Sequence, residues 1–387
     1  MNSDKTNKYA CRAGRFIHQS GGYKAFIPEP LPPNPPLNMD GLQSILSKAD
    51  RSLGRLDGVV VTLPNPDLFV FMYVRKEAVL SSQIEGTQSS LQDVLAAEAK
   101  ILDRDRPHDV IEVINYVNAM HYGLNRLDKL PVSVRLIREI HQYLLHETRG
   151  NNLTPGELRK SQNWIGNAGC NLSDAYFVPP PPINVPEALS DLEKFIHKKD
   201  NIPILIKIGL VHAQFETIHP FLDGNGRMGR LLIAFLLCNK NAVLHKPVLY
   251  ISHFLKKNRQ EYYDKLQAIR DHGYWEQWLE FFLSGIVEVS TQATETAKKI
   301  LKMREDHRDK ITDNFKYMAG DGHRVLEGLY KTPIISVKNI SEITGKSFNA
   351  SNELVTRFQD IGVLTEVTGQ SRNRKYVYQE YIDLFQF

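Results

Sequence analysis

Cysteine is scarce in this chain, with only Cys11, Cys170 and Cys238 in 387 residues. They are odd in number, scattered, and none stands at metal-ligand spacing from another. That argues against a disulfide framework or a cysteine zinc site and fits a reducing cytosol with unpaired thiols. Long apolar runs are missing too. The longest, Leu68 to Val74 and Leu231 to Cys238, fall far short of the roughly 18 residues needed to span a bilayer. Met1 to Gly21 is polar and lacks the apolar centre of a signal peptide. Net charge is also low: +4 is too mild to argue for nucleic acid or a membrane surface by itself. What remains is a globular chain, 42% hydrophobic, long enough for two or three domains around a substantial core.

Proline is concentrated near the start. Pro28, Pro30, Pro32, Pro33, Pro35 and Pro36 forbid regular helix and favour an extended polyproline course, so residues 1–36 read as an arm. Helices follow. Asp40 suits an N-cap, and Leu42, Ile45, Leu46, Ala49 and Leu53 recur with the period of a buried helical face. A second helix starts after Asp67, runs through Phe69, Tyr73 and Val79, and ends near Gly86. Further helices are predicted from Val110 to Leu124, Val132 to His146, Val185 to Lys198 and Pro203 to Thr217. Another opens at Lys256 to Tyr263, and a later one packs Trp275, Trp278, Phe281 and Phe282. His121 and His141 lie on or near helix faces with no second ligand at metal spacing, and read as structural.

Two stretches break the helical pattern. Ser161 to Gly166 and Ala175 to Val178 are β-prone runs separated by Gly, Asn and Asp and stopped by Pro179 to Pro182, which predicts a hairpin. From Thr291 to Arg308 charges of both signs crowd together, as in a solvated connecting helix at a boundary. Beyond it, three short helices (323–330, 337–344, 349–360) precede two strands flanking Gly369 to Arg374, a pattern that resembles a winged helix-turn-helix. The wing carries Arg372, Arg374 and Lys375, but Glu353 and Asp360 accompany Arg357 on the recognition helix. Docking or dimerisation therefore suits it at least as well as DNA.

The richest stretch is Ile218-His-Pro-Phe-Leu-Asp-Gly-Asn-Gly-Arg-Met-Gly-Arg230, wedged between two apolar helical segments. Asp-Gly-Asn-Gly alone is a common turn. A turn, however, needs neither His219 before it nor two arginines after it. His219 takes a proton near neutral pH, Asp223 is a hard oxygen ligand, and Gly224-Asn225-Gly226 lets backbone amides turn towards one point. Arg227 and Arg230 fall in the first turn of the next helix, where the dipole disfavours cations unless an anion is bound. The residues describe a phosphate cradle with a base beside it. Upstream, Ser81 and Glu85 share one helical face four residues apart, with Gly86 behind them.

The stretch from His219 to Arg230 resembles the signature of the Fic family, His-x-Phe-x-Asp/Glu-Gly-Asn-Gly-Arg-x-x-Arg, at every defined position. The resemblance implies a mainly α Fic-type bundle with a β-hairpin flap, and transfer of AMP from ATP to a hydroxyl of a target protein. It implies His219 as general base, Asp223 as the Mg2+ ligand, and Gly224, Asn225, Gly226, Arg227, Met228, Gly229 and Arg230 around the nucleotide phosphates. Ser81, Glu85 and Gly86 match the family's inhibitory motif, in which Glu85 would occupy Arg230 and misalign ATP. Ile165, Gly166 and Asn167, with Asp174 to Tyr176, would contact nucleotide and target along the 161–178 flap, and Tyr262 and Tyr263 the adenosine.

The expected division is therefore residues 1–106 for the arm and inhibitory helix, 107–290 for the catalytic core, 291–320 for a connecting helix and 321–387 for a winged helix. The protein would be cytoplasmic, with ATP and Mg2+, a hydroxyl-bearing target, DNA or protein at the winged helix, and homodimerisation left open. The same residues would also serve AMP removal or another nucleotide donor. A nucleotide-sensing DNA-binding regulator is the reading of a different class.

Overall fold

The computed structural model describes residues 11–385 apart from 62, 64–65, 100–107, 149–152, 168 and 240–242. The expected boundary at 106/107 lies outside the described residues. Within them the chain is mainly α-helical, as the resemblance implied.

The expected extended arm is in part a β-hairpin. Strands β1 (Gly14–His18) and β2 (Lys24–Pro28) pair antiparallel with Phe16 opposite Phe26. The prolines dominated the sequence reading, yet they begin where β2 ends. Phe26 is fully buried and its amide donates to the Val178 carbonyl at 2.9 Å, so the hairpin is tied to the segment expected to be a flap.

Helices α1 (Gln43–Val61) and α2 (Pro66–Ile84) follow, then α3 (Leu91–Glu98), α4 (His108–Leu127) and α5 (Val134–Leu144). The sequence reading missed α3, which opens with a capping box between Ser90 and Asp93. After the non-helical stretch come α6 (Val185–His197), α7 (Ile204–Ile218), α8 (Asn225–Cys238), α9 (Ser252–Lys257) and α10 (Arg259–His272). Helices α7 and α8 are buried on nearly every side. Fully burying a Leu, Ile or Phe stabilises by roughly 1.5–3 kcal/mol. A loop held between two such helices therefore has little freedom to drift.

Helix α11 (Trp275–Phe315) runs unbroken through the expected boundary at 290/291. Its polar half is not solvated all round. Ala293, Ala297, Ile300, Met303 and Ile311 are buried at helical spacing, and α1 packs along this helix. The charges crowd the remaining face, which is why composition alone suggested a linker.

Helices α12 (Ala319–Lys331), α13 (Val337–Thr344) and α14 (Phe348–Asp360) then precede a small antiparallel sheet. Strand β5 (Lys375–Val377) lies between β3 (Ile334–Ser336) and β4 (Thr365–Glu366), and α15 (Gln379–Asp383) closes the described chain. Among the described residues no helix is long and apolar enough to cross a membrane.

The expected hairpin at 161–178 is reduced to a single antiparallel bridge between Ile165 and Phe177, with a 3-10 turn at Leu172–Asp174. Their two backbone hydrogen bonds measure 2.8 and 3.1 Å. Gly, Asn and Asp between the two runs favour turns over a longer ladder.

Candidate active site

Helix α7 stops at His219 because Pro220 follows it and cannot continue a helix. His219 caps the helix in the left-handed region at φ 49°, its amide donating to Phe215 O at 2.9 Å. Non-glycine residues rarely adopt that conformation. Here several bonds impose it. Arg159 Nε donates to the His219 carbonyl at 2.9 Å, and Asn163 Nδ2 reaches that carbonyl at 3.3 Å and Phe221 O at 2.8 Å. Arg159 is buried and also donates to the carbonyls of Pro180, at 2.5 Å, and Ile218. Burial draws it down to about 10.

The second half of the loop is fixed from within. Asn225 accepts from the Phe221 amide at 2.9 Å and donates to the Phe221 carbonyl at 2.8 Å. Gly224 takes φ 76° as the N-cap of α8. His141 stacks on Phe221 with centroids 3.7 Å apart, accepts at Nδ1 from the Gly156 amide, and so carries its proton on Nε2, which donates to Asp223 O at 2.9 Å. The structural reading of His141 thus has a specific content: it backs the loop.

His219 itself is half-buried, its Nδ1 3.4 Å from Glu216 O. With Nδ1–H donating to that carbonyl, Nε2 keeps its lone pair. Burial, then the positive charges of Arg270 and Arg159, lower its pKa to about 4. The sequence expectation was an unshifted histidine near 6.5. The neutral form needed for a base is favoured more strongly than expected.

Asp223 presents its carboxylate with 42% of the side chain exposed, Oδ1 accepting from Gly224 N at 2.6 Å and Oδ2 3.6 Å from Arg227 Nη2. Among the described residues no group of three or more His, Cys, Asp or Glu gathers around a metal-sized point. One accessible carboxylate still fits Mg2+, which commonly binds one or two carboxylates and completes its shell with substrate phosphates and water.

Arg230 is buried and held at three points. Nε donates to Ser81 Oγ at 2.8 Å, and Nη2 donates to Ser81 O at 3.0 Å and to Glu85 Oε1 at 2.5 Å. Burial would raise the Glu85 carboxyl, but Arg230, Arg227 and His219 outweigh it and hold it below its ordinary value. Gly226 allows the approach: a Cβ there would stand 2.3 Å from Glu85 Oε1. The Glu85 carboxylate therefore lies against the first turn of α8, the place that favours an anion. Arg227 is paired with buried Glu112 at 3.1 Å, while its buried Nε meets no acceptor among the described residues.

The other expected contacts divide. Met228 is fully buried, so its side chain belongs to the core and not to a nucleotide; Gly229 faces α7, where a Cβ would meet Glu216 Oε1 at 2.4 Å. Tyr262 is buried with its hydroxyl 2.9 Å from His212 Nε2, which leaves Tyr263, 37% exposed, as the accessible ring of the two. Ile165 packs against the core, and Gly166 lies against Cys170 Sγ. Sequence reasoning missed Arg159, Asn163 and Glu112. Arg159 lies just before the β-prone run and Asn163 within it, but nothing local marks them as partners of a loop about 60 residues on.

Residues 44–125 match the model of the Fic/DOC family N-terminal region, and residues 131–237 match the Fic/DOC family itself. A solved Fic family protein from Desulfovibrio desulfuricans G20 superposes with a TM-score of 0.58 at 20% identity, over 87% of this chain and 95% of that one. The fold is thus of Fic type. A probable protein adenylyltransferase of Aquifex aeolicus is 32% identical over 56% of this chain and 60% of its own. Protein adenylyltransferase Fic of Drosophila willistoni is 24% identical over 61% of this chain and 47% of its own. Residues 44–125 and 131–237 thus carry the two Fic/DOC family regions, and the chain spans less than two thirds of the length of these curated relatives.

Proposed function

We propose that this protein is an adenylyltransferase that moves AMP from ATP to a Ser, Thr or Tyr hydroxyl of a target protein or of itself, and that Glu85 holds it inhibited. The observation that carries the reading is the Glu85 carboxylate seated between Arg230 and the first turn of α8. A carboxylate there competes for the groups that would grip a nucleotide phosphate.

In the proposed reaction the hydroxyl oxygen attacks the α-phosphorus as His219 Nε2 takes its proton. The bond from that phosphorus to the bridging oxygen breaks, and pyrophosphate leaves. The α8 amides, Arg227 and, once released, Arg230 orient the phosphates. Asp223 would hold Mg2+, which when bound neutralises charge on the α- and β-phosphates. Exposed Trp164 and Tyr176, on either strand of the Ile165–Phe177 bridge, offer the target a docking edge. The three free cysteines suit a cytoplasmic protein. The regulator reading gains no support from α14, where Arg357 is bound to Glu353 at 2.7 Å, while wing residue Arg374 donates to Asn352 at 3.1 Å.

The test is transfer of label from α-labelled, but not γ-labelled, ATP in a Glu85→Gly background. Adding His219→Ala should cut the rate by roughly 10² to 10⁴ while leaving ATP affinity nearly intact. Undiminished transfer would remove His219 as base. ATP binding without any transfer in either protein would favour a sensor.

A further inference from the structure

Which ring nitrogen of His219 keeps its lone pair depends on the Glu216 carbonyl. That carbonyl belongs to the last turn of α7, where no further amide of the helix is left to donate to it. Two side chains meet it instead: His219 Nδ1 at 3.4 Å and Arg270 Nη2, which donates at 3.2 Å. A carbonyl oxygen has two lone pairs and accepts from both. Arg270 Nε also donates to Thr217 Oγ1 at 3.3 Å, and that hydroxyl gives its own proton to Ala213 O at 2.9 Å, which leaves its lone pairs to the guanidinium. Arg270 and Arg159 between them take the carbonyls of Glu216, Ile218 and His219.

Arg270 makes one contact that Arg159 does not. Its guanidinium lies over the Phe177 ring, 3.8 Å from the centroid. Phe177 supplies the amide and the carbonyl that form both bonds of the bridge to Ile165, and Tyr176 beside it is exposed. One side chain from α10 thus touches the carbonyl that orients His219 and the strand offered to a target. Its three hydrogen bonds all go to neutral oxygens, those of Glu216, Thr217 and Gln267. Arg270 is buried, and burial draws it down to about 10. As mere filling for a core, a cation in such a place is inferior to an apolar side chain. A planar fork with an open face, however, reaches carbonyl, hydroxyl and ring together.

We propose that Arg270 is a positioning residue for the transfer: it fixes the Glu216 carbonyl so that His219 holds its proton on Nδ1 and its lone pair on Nε2, and it ties that arrangement to Phe177 of the docking edge. The role in transfer rests on the adenylyltransferase reading. The hold on His219 does not.

The hold can be read without activity, by nitrogen NMR of the full chain labelled with 15N-histidine at pH 8, where the His219 signals are those lost in His219→Ala. The parent should show a protonated Nδ1 and an unprotonated Nε2. A parent with its proton on Nε2 overturns the proposal whatever the variants do. In Arg270→Gln, which lacks both charge and fork, the signals should move towards the other tautomer, and an unmoved tautomer overturns the hold. Phe177→Leu keeps an apolar side chain at the bridge while removing the stacked ring, so it tests the tie even where Arg270→Gln does not fold. It should move the His219 signals in the same direction by less, and signals like the parent's overturn the tie to Phe177.

In the Glu85→Gly background, Arg270→Gln should lower kcat by about tenfold or more with ATP affinity nearly intact, because a misaimed base loses part of the roughly 10² to 10⁴ that a general base supplies. A merely structural Arg270 predicts a lower melting temperature and less active protein, with the tautomer of the folded fraction unmoved. Unchanged kcat beside an active Glu85→Gly parent overturns the positioning role and leaves the adenylyltransferase reading intact. An inactive Glu85→Gly protein whose His219 tautomer still follows Arg270 sinks that reading and leaves the hold on His219 standing.

Discussion

Arg227 and Arg230 leave the same helix almost one turn apart, and both are buried against a carboxylate, yet the two partners are placed differently. Glu112 lies within α4 with 8% of its side chain exposed, whereas Glu85 follows the last turn of α2 with 35% exposed. Moving Glu112 would mean moving a core helix. Moving Glu85 requires only the short turn ending at Gly86, whose φ of 102° suits glycine alone. The two ion pairs, at 3.1 Å for Glu112 and 2.5 Å for Glu85, therefore divide into a fixed one and a releasable one according to where in its element each carboxylate sits.

The sharpest way to break this comparison is to remove each carboxylate in turn. Glu112→Ala strands a buried guanidinium, and denaturant unfolding should report a loss of about 3–5 kcal/mol. Glu85→Gly opens Arg230 to solvent or phosphate and should cost about 1 kcal/mol or less. Equal losses would abolish the distinction between the two pairs.

Activity should respond the other way. Glu85→Gly is expected to raise auto-modification about tenfold or more, equivalent to about 1.4 kcal/mol in barrier. Adding Arg230→Ala should abolish the gain. A Glu85→Gly protein no more active than the parent, with a lower melting temperature, would mean that Glu85 merely stabilises the turn.

Ser81→Ala gives a smaller version of the same change. It removes one of Arg230's three bonds, the 2.8 Å contact to Ser81 Oγ, worth about 1 kcal/mol. The rise in transfer should be clear but below that of Glu85→Gly, and a rise as large would place the restraint on Ser81.

The smallest expected effect is on pH dependence. Because the His219 pKa is lowered to about 4, its neutral form persists as pH falls through 6.5 and is lost only on approaching the lower value. In the Glu85→Gly background, kcat should stay nearly level from about pH 8 to about pH 5.5, where an unshifted histidine would already have lost most of its basic form. An acid limb centred near 6.5 that disappears in His219→Ala residual activity would show that the burial is relieved when substrate binds.

Much of this was legible in the residues. The helical period of Leu42 to Leu53 and of Leu231 to Leu237 marked buried helices, because a helix must hide its apolar face. The stretch from His219 to Arg230 carried its chemistry in contiguous residues. The spacing of Ser81 and Glu85 showed that both share a face. The errors fall where pattern is non-local or ambiguous. Proline hid the pairing of Phe16 with Phe26, charge on one face of α11 masked the buried face opposite, and β-prone runs at 161–178 formed one bridge instead of a hairpin.

The sequence by itself determined the cradle, since a left-handed glycine, an anion-seeking helix start and a histidine before proline are properties of adjacent residues. Only the tertiary structure decided which carboxylate meets which arginine, that Arg159 and Asn163 hold the His219 carbonyl, and that burial lowers His219. Each depends on groups 56 to 145 positions apart. Local propensity cannot encode such distances; the packing of α2, α4, α7 and α8 sets them.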